Sequence, residues 1–304
     1  MRFLKQQKFM KPLINKTVLI TGCSSGFGKA LVPLFLKKGW IVIATLRNFE
    51  TRQHIFQEGL NAYKNLFILP LDIASEKDRK EISDFLKEKF GKLDCLINNA
   101  GYGMFGALED LSEIEFRHQM ESNFFGATFL TRLLLPFLRK ARGKVFFLSS
   151  AFGFVGFPLT SAYCSSKFAL EGLAESLYYE LQPHDVQVSL IEPGGFRTNF
   201  SNNAKWGSLS HELESVFFLQ TQNYKEFKKG LNNRKPKDPK KVAEIILQLV
   251  EKKNISLRYR IGSDSKIMHL LRKVSPDYIY ESLFSRIYKN LFLSPVNKSG
   301  VYYE

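Results

Sequence analysis

From residue 17 onward, short β-rich runs alternate with longer segments of helical periodicity, and no other feature of the sequence restricts its fold as strongly. The β-rich runs span residues 17–21, 41–45, 66–72, 95–100, 144–150, 186–193 and 256–262. Several of them are nearly continuous apolar stretches, which is typical of strands that helices cover on both faces. The alternation predicts a doubly wound, Rossmann-type α/β fold with about seven parallel strands in a single domain.

Composition excludes several classes of protein. With 304 residues, 44% of them hydrophobic and 24% charged, the chain has the profile of a globular protein rather than a disordered one. Cys23, Cys95 and Cys164 lack the spacing of a disulfide framework or a zinc site, so we expect reduced thiols and no metal. No apolar run reaches the ~18 residues that a membrane helix requires. We therefore expect a cytoplasmic protein that is at most peripheral to a membrane.

The net charge of +15 raises the question of a polyanionic partner. Nucleic-acid binders concentrate positive charge with aromatic residues in a recognisable module, whereas the lysines here are spread along the chain. The densest basic block, residues 228–241, is interpreted as a solvated loop that leads into a helix capped by Asp238 and Pro239. We expect no nucleic acid as a partner. Of the two polyanionic partners considered, an anionic membrane surface is the better candidate.

A glycine-rich turn, TGCSSGFG, directly follows the first predicted strand. Gly22, Gly26 and Gly28 stand between a strand and a helix, where glycines allow the backbone to approach a phosphate. Tight packing alone also explains such a turn, but its place in a βαβ unit favours dinucleotide binding. After the second strand, Leu46 and Arg47 replace the acidic residue that would hold the ribose of NAD(H), which favours NADP(H), with NAD(H) as the alternative.

Tyr163 and Lys167 are four residues apart in the helical segment SAYCSSKFALEGLAESL. This spacing places both side chains on one face of the helix. A tyrosine has an ordinary pKa of about 10, and a neighbouring ammonium lowers that pKa because it favours the phenolate. The pair is either surface decoration or a proton donor with the charge that tunes it, and the spacing alone does not decide.

Further motifs follow in order along about residues 16–262: LDI around Asp72, NNAG at 98–101, Asn123, LSS ending at Ser150, YCSSK and PGGFRT. Together with the glycine turn they resemble the short-chain dehydrogenase/reductase family, in its single-domain branch. The ordered set is far more specific than a Tyr-x-x-x-Lys pair. The segments YCSSKFALEGLAESL and LRYRIGSD are most similar to 17β-hydroxysteroid and retinol dehydrogenase-like members.

The resemblance implies an oxidoreductase and a role for each candidate catalytic residue. Tyr163 would be the general acid/base, and Lys167 would lower its pKa and hold the ribose of the cofactor. Ser150, which lies 13 residues before Tyr163, would bind the substrate oxygen and is preferred to Ser149 on that interval. Asn123 would support a water relay to Lys167, and its alternative role is to fix a kink in a helix.

The resemblance also implies a cofactor site. Asp72 would contact the adenine region or, alternatively, cap the next helix, and Asn99 would lie along the adenosine ribose. Pro193 and Gly194 would meet the nicotinamide and phosphates or form only a turn. The complete set is Thr21, Gly22, Ser24, Ser25, Gly26, Phe27, Gly28, Leu46, Arg47, Asp72, Ile73, Asn99, Ala100, Gly101, Tyr163, Lys167, Pro193, Gly194 and Thr198.

Aromatic residues crowd two segments beside the candidate site, residues 152–159 and 196–227. The second segment lies where the family carries a variable substrate lid, here at about residues 196–236. Its aromatics either pack the lid on the body or line an apolar pocket for a steroid, retinoid or long-chain carbonyl or alcohol. The candidate lining residues are Phe157, Phe200, Trp206, Phe217 and Phe218, with Ser150 as a polar contact.

The resemblance divides the chain into an N-terminal extension (1–15), the catalytic domain (16–262) and a C-terminal helical extension (263–304). The last segment has apolar residues at helical spacing with basic residues beside them. Such a helix packs on its own domain or a second subunit, which we prefer, or makes peripheral membrane contact. Its apolar residues are Tyr280, Leu283, Phe284, Ile287, Tyr288 and Leu291. The resemblance further implies a homo-oligomer formed through the helices that flank Tyr163.

Two alternative functions are weaker. An epimerase or dehydratase on the same fold is disfavoured, because the chain has no large C-terminal substrate domain. A non-catalytic dinucleotide sensor is disfavoured, because Ser150, Tyr163 and Lys167 are all present.

Overall fold

The structure is a computed structural model that describes residues 16–56, 64–196, 198, 200, 203–232 and 237–293, so the predicted extension at 1–15 lies outside it. Its strands are β1 (Thr17–Ile20), β2 (Ile41–Leu46), β3 (Leu66–Pro70), β4 (Cys95–Asn98), β5 (Met104–Phe105), β6 (Lys144–Leu148), β7 (Gln187–Pro193), β8 (Lys205–Trp206) and β9 (Arg258–Ile261). Seven of them form one parallel sheet in the order β3-β2-β1-β4-β6-β7-β9. The two short strands, β5 and β8, form a separate pair. The predicted doubly wound α/β domain is confirmed.

Helices cover both faces of the sheet, and this explains the continuous apolar runs. Because side chains alternate along a strand, Val18 and Ile20 of β1 face one layer and Leu19 faces the other. The first layer contains α1 (Gly26–Lys37) and α8 (Lys240–Glu251). The opposite layer contains α3 (Glu76–Lys89), α5 (Gly126–Ala141) and α6 (Ser161–Glu180).

Five further α-helices lie in the described ranges. They are α2 (Phe49–Arg52), α4 (Glu113–Met120), α7 (Phe218–Asn232), α9 (Ser263–Val274) and α10 (Asp277–Tyr288). A π-helical turn at Lys289–Leu293 follows α10. No helix in the described ranges is both long and apolar enough to cross a membrane.

The basic block at residues 228–241 is not the loop that the sequence suggested. Helix α7 continues to Asn232, so the first part of the block is helical, while residues 233–236 lie outside the described ranges. Helix α8 then begins at Lys240, where the Asp238 carboxylate accepts the backbone N–H at 2.8 Å. The block is therefore the end of one helix and the start of the next, and its first lysine belongs to the lid.

Candidate functional site

The candidate site lies at the carboxyl ends of β1 and β4, where the strand order reverses direction. Thr21 follows β1, and its hydroxyl accepts the backbone N–H groups of Asn99 at 3.0 Å and Ala100 at 2.9 Å. The Asn99 side chain donates in return to the carbonyls of Thr21 at 2.7 Å and Gly22 at 3.0 Å. These bonds hold the glycine turn and the NNAG turn together as one unit.

The glycines of this turn are required by its backbone and its packing. Gly22 and Gly26 have φ values of +70° and +56°, in the left-handed region that favours glycine. A Cβ on Gly28 would lie 2.5 Å from the Asn99 Nδ2 atom and from the Gly22 carbonyl oxygen. Helix α1 begins at Gly26, and Ser25 at its N-cap makes no side-chain capping bond. The first-turn amides of α1 are thus arranged as in a phosphate-binding turn.

Two arginines follow β2, and the one that the sequence did not single out contacts the glycine turn. Leu46 ends the buried strand β2, and Arg47 follows it with an exposed side chain. Helix α2 then brings Arg52 back, so that its Nη1 atom donates to the Ser24 hydroxyl at 3.3 Å. The sequence could have indicated Arg52, because it is a basic residue one helical turn into the short helix after the second strand.

Asp72 lies after β3 and does not cap the helix that follows. Its Oδ1 atom accepts the N–H of Ala74 at 3.1 Å, whereas the hydroxyl of Ser75 caps α3 by accepting the N–H of Asp78 at 3.2 Å. The capping alternative for Asp72 is therefore wrong. Ile73 beside it is buried. Both residues stand at the same end of the sheet as the glycine turn, as the cofactor interpretation requires.

The PGGFRT segment lies next to the glycine turn. The Phe196 ring makes an edge contact with Phe27 at a centroid distance of 5.9 Å. Thr198 lies 3.4 Å from the position that a Cβ on Gly26 would occupy. The predicted cofactor residues of the two segments are thus neighbours.

Helix α9 holds the Pro193–Gly194 turn in place. The N–H of Gly194 donates to the Ile261 carbonyl at 2.9 Å, while the Asp264 carboxylate accepts the N–H of Gly195 and pairs with Lys237, both at 2.5 Å. These bonds lower the pKa of Asp264 against the effect of its burial. The turn is therefore fixed by the segment after β9.

Asn123 sits in a π-helical turn, Glu121–Phe125, between α4 and α5. Its Oδ1 atom accepts the N–H of Tyr102 at 3.0 Å, and its Nδ2 atom donates to the Tyr102 carbonyl at 2.9 Å and the Ser166 hydroxyl at 3.1 Å. The Ser166 hydroxyl donates to the Tyr163 carbonyl at 2.7 Å. Asn123 therefore joins the NNAG loop to the helix that carries Tyr163. It lies in an irregular helical turn, which agrees with the alternative role of fixing a kink in a helix.

Tyr163 and Lys167 lie on the buried face of α6, as their spacing predicted. The Lys167 ammonium is 5.8 Å from the Tyr163 ring centroid and donates to the Leu148 carbonyl at 2.7 Å. Burial raises the pKa of Tyr163, and a hydrogen bond with the Ser150 hydroxyl opposes that effect. Burial also lowers the pKa of Lys167 to about 8, with Glu171 opposing. Lys167 is not among the groups that shift the pKa of Tyr163, so the lowering of the Tyr163 pKa by Lys167 stays a prediction.

Ser150, rather than Ser149, is the serine that meets Tyr163. The Ser150 hydroxyl accepts the N–H of Phe152 at 3.2 Å and hydrogen-bonds the phenol of Tyr163. Ser149 is buried against Gly153, where a Cβ would lie 2.6 Å from the Ser149 hydroxyl oxygen. The preference for Ser150 that came from sequence spacing agrees with this arrangement.

Four of the five predicted pocket residues belong to one aromatic cluster beside Tyr163. The Phe200 and Phe105 rings lie 5.4 Å and 6.4 Å from the Tyr163 ring, and Trp206 lies 5.7 Å from Phe105. Strands β5 and β8 pair here, which joins the lid to the loop after NNAG. This aromatic cluster comprises Phe105, Phe157, Phe200, Trp206, Phe217, Tyr224, Phe227, Tyr288 and Phe292. Phe218 is not a member.

Four members of the aromatic cluster were not named as candidates in the sequence analysis. Phe105 follows the NNAG motif, Tyr224 and Phe227 lie on the lid helix, and Phe292 comes from the π-helical turn after α10. Phe292 is only 1% exposed, and its carbonyl accepts a hydrogen bond from Asn223 at 3.0 Å. The C-terminal extension thus packs partly on its own domain, while Leu283, Ile287 and Leu291 remain exposed.

Comparison with known proteins relates the chain to oxidoreductases. The family described as short chain dehydrogenase matches residues 16–207. The uncharacterized oxidoreductase YusZ of Bacillus subtilis is 36% identical over 90% of this chain and 98% of its own length. The 3-ketodihydrosphingosine reductase of Bacteroides thetaiotaomicron is 34% identical over 83% of this chain and 89% of its own length. Retinol dehydrogenase 7 of Mus musculus is 29% identical over 93% of this chain and 92% of its own length.

A solved structure gives the same relationship. The short-chain dehydrogenase from Streptomyces avermitilis is 30% identical, with a TM-score of 0.76 over 91% of this chain and 98% of that chain. Retinol dehydrogenases, which the YCSSK and tail segments indicated, are among the similar proteins.

Proposed function

Since the chain belongs to the short-chain dehydrogenase/reductase family of oxidoreductases, we propose that it uses NADP(H) to interconvert a carbonyl and an alcohol of an apolar substrate. The observation that carries the proposal is the group formed by half-buried Ser150 with buried Tyr163 and Lys167, at the same end of the sheet as the glycine turn. The aromatic cluster next to Tyr163 supports the apolar substrate. The names of the retinol dehydrogenase and 3-ketodihydrosphingosine reductase relatives point to the same class of substrate.

The residues around the turn fit a nicotinamide dinucleotide phosphate. The left-handed glycines and the first turn of α1 suit the pyrophosphate, since backbone N–H groups there approach an anion without side-chain obstruction. Arg47 and Arg52 would hold the 2′-phosphate, which a carboxylate in their place would repel. Lys167 and Asn99 would hold the ribose hydroxyls.

The dinucleotide, when bound, supplies or accepts the hydride. Tyr163 would donate a proton to the carbonyl oxygen during reduction, and burial favours this because it keeps the phenol protonated. The Ser150 hydroxyl would donate a hydrogen bond to the same oxygen. Lys167 would stabilise the phenolate left behind, and Asn123 would hold α6 and the NNAG loop in register and remains the candidate for the water relay.

The first test is cofactor absorbance with purified protein against steroid, retinal, long-chain aldehyde and long-chain ketone substrates, with NADPH and NADH in parallel. Tyr163→Phe should lower kcat by about 10²–10⁴-fold, because it removes only the proton donor. Tyr278→Phe, at an exposed position of α10, is the matched control and should retain full activity. Turnover that survives in Tyr163→Phe would contradict the assigned role.

The partners expected from the sequence remain proposals. A homo-oligomer through α6 is supported by the exposed Phe168 and Tyr179 on that helix, and light scattering after size-exclusion chromatography tests it. Peripheral membrane contact is supported by the exposed apolar residues of α9 and α10 among Arg272, Lys273 and Arg286, and vesicle flotation tests it. A cytoplasmic location stays a prediction.

A further inference from the structure

Lys228 of the lid helix α7 is half-buried and places its ammonium against two rings of the aromatic cluster. The Nζ atom lies 3.9 Å from the ring centroid of Phe105 and 5.9 Å from that of Tyr224. The Phe105 ring is also a neighbour of the Tyr163 ring, at a centroid distance of 6.4 Å. One aromatic ring therefore separates this cation from the candidate proton donor.

Among the described residues, Lys228 forms no ion pair and no hydrogen bond, which sets it apart from its neighbours on α7. Lys229 pairs with Glu226 at 2.6 Å, and Lys225 contacts the His211 ring nitrogen at 2.9 Å. Burial lowers the pKa of Lys228 to about 8, and no neighbouring carboxylate opposes that effect. Its contacts with the ring faces of Phe105 and Tyr224 compensate only in part for lost hydration.

We propose that Lys228 is an anion subsite, so that the substrate of the proposed reaction carries a carboxylate or phosphate some distance from its reacting carbonyl. The acidic group would pair with the ammonium, the carbonyl would lie at Tyr163, and the apolar body would rest on the rings between them. In such a weakly hydrated place an opposite charge is attracted and a like charge repelled more strongly than in water. This inference rests on the proposed function, because it assigns the polar end of the same pocket.

Three kinds of side chain converge to make the subsite selective. Phe105 and Tyr224 exclude water on one side of the ammonium, and Trp206 packs against both rings at centroid distances of 5.7 Å and 5.8 Å. The Lys225 ammonium lies 5.2 Å from the Trp206 ring, at the outer edge of the cluster. An acid that enters over Trp206 would meet two positive charges in succession, whereas a cationic substrate would be repelled at both.

The test measures binding and turnover separately. Calorimetric titration with dodecanoate, dodecyl phosphate, dodecanol and dodecylamine uses ligands that need no reaction. The wild-type protein should bind the two anions more tightly than the alcohol, and the amine most weakly. Lys228→Met should weaken anion binding about tenfold, since a charge-assisted pair contributes on this order, and should leave dodecanol binding unchanged. Lys228→Arg should restore anion binding in part.

Lys229→Met is the matched control, because it removes the same charge from the same helix at an exposed, already paired position. It should bind all four ligands as the wild-type protein does. Equal loss of dodecanoate and dodecanol binding in Lys228→Met would overturn the subsite and indicate a packing role. Equal wild-type affinity for dodecanoate and dodecylamine would overturn it as well. The anion that the wild-type protein binds more tightly, dodecanoate or dodecyl phosphate, identifies the acidic group that the subsite prefers.

Turnover distinguishes this inference from the function on which it rests. An ω-carboxylated long-chain aldehyde and its methyl ester are compared in the NADPH assay, and the acid should have a KM about tenfold lower, an advantage that Lys228→Met removes. Reduction of both at equal KM would support the oxidoreductase and overturn the subsite. Lys228-dependent dodecanoate binding without reduction of either aldehyde would support the subsite and contradict the proposed reaction.

Discussion

The ammonium of Lys167 donates a 2.7 Å hydrogen bond to the carbonyl of Leu148, the last residue of β6. Helix α6 is thereby joined to the sheet two residues before Ser150. Strand β6 therefore supports both Ser150 and the helix that carries Tyr163. Within the described residues this is the hydrogen bond that the Lys167 side chain makes, which leaves two of its N–H groups for the ribose hydroxyls of the proposed cofactor.

Lys167→Met should separate activity from stability. Activity should fall about a hundredfold or more, because the phenolate of Tyr163 loses its stabilising charge. Thermal stability should hold or rise, because removing a buried ammonium relieves a desolvation cost of several kcal/mol, whereas the unpaired Leu148 carbonyl costs about 1–3 kcal/mol. Glu171 keeps a partner in Arg258 at 3.0 Å.

The measurements for this variant are kcat and the melting temperature by circular dichroism. Lys241→Met, at an exposed position of α8, is the control and should change neither quantity. A large fall in melting temperature would mean that Lys167 serves chiefly to hold α6 on the sheet.

Arg52→Ala should weaken NADPH binding about tenfold and leave NADH binding nearly unchanged, because the guanidinium beside Ser24 would pair only with the 2′-phosphate. Arg47→Ala should act in the same direction. Calorimetric Kd values for both cofactors provide the check, with Arg117→Ala on the exposed face of α4 as control. Equal weakening of NADPH and NADH by Arg52→Ala would contradict the NADP(H) preference and show that Arg52 supports the turn.

The sequence predicted the sheet, and the placement of Tyr163 and Lys167 on one helical face, because both are encoded locally. Apolar runs mark each buried strand, and a spacing of four places Tyr163 and Lys167 on one helical face. Ser150 and Asn123 were found through motif order, and the structure brings both to Tyr163 or its helix. The roles of all four still depend on experiment.

The features that the sequence analysis did not predict depend on contacts between segments that are distant in the chain. Phe292 contacts Phe157, nearly half of the chain length away in sequence, at a centroid distance of 6.0 Å, and no periodicity in the tail indicates which residue turns inward. The raised pKa of Tyr163 depends on how deeply the lid and sheet bury it, which spacing cannot reveal. Lys228 was assigned to a solvated loop because it belongs to a dense block of charged residues. The sequence pattern did not show that helix α7 includes it.

Phe292→Ala tests whether the C-terminal extension is part of the catalytic domain's core. Phe292 contacts Phe157, Tyr224 and Phe227 and is almost fully buried, so its truncation should cost about 3–5 kcal/mol of unfolding free energy. Leu293→Ala, the exposed neighbour, should cost far less. Urea unfolding compares the two, and similar stabilities would show that the tail does not pack in solution as described.

Stability should fall as pH rises because of Glu192, which is 0% exposed at the end of β7. Burial, aided by Glu171, raises the pKa of Glu192 to about 7, although Arg260 at 2.9 Å and Arg258 at 3.4 Å oppose this. The folded state therefore holds a proton that the unfolded state releases near pH 4.5. The proton's contribution is complete below that pH and is lost as pH rises through about 7.

Glu192→Gln fixes the neutral form, so its unfolding free energy should vary little across this window. The wild-type protein should lose up to about 3 kcal/mol relative to the variant between about pH 5 and about pH 8. Urea unfolding at the two pH values measures the difference, with Glu244→Gln at an exposed position of α8 as control. Parallel pH slopes for wild type and Glu192→Gln would show that Arg258 and Arg260 outweigh burial and keep this carboxylate ionised.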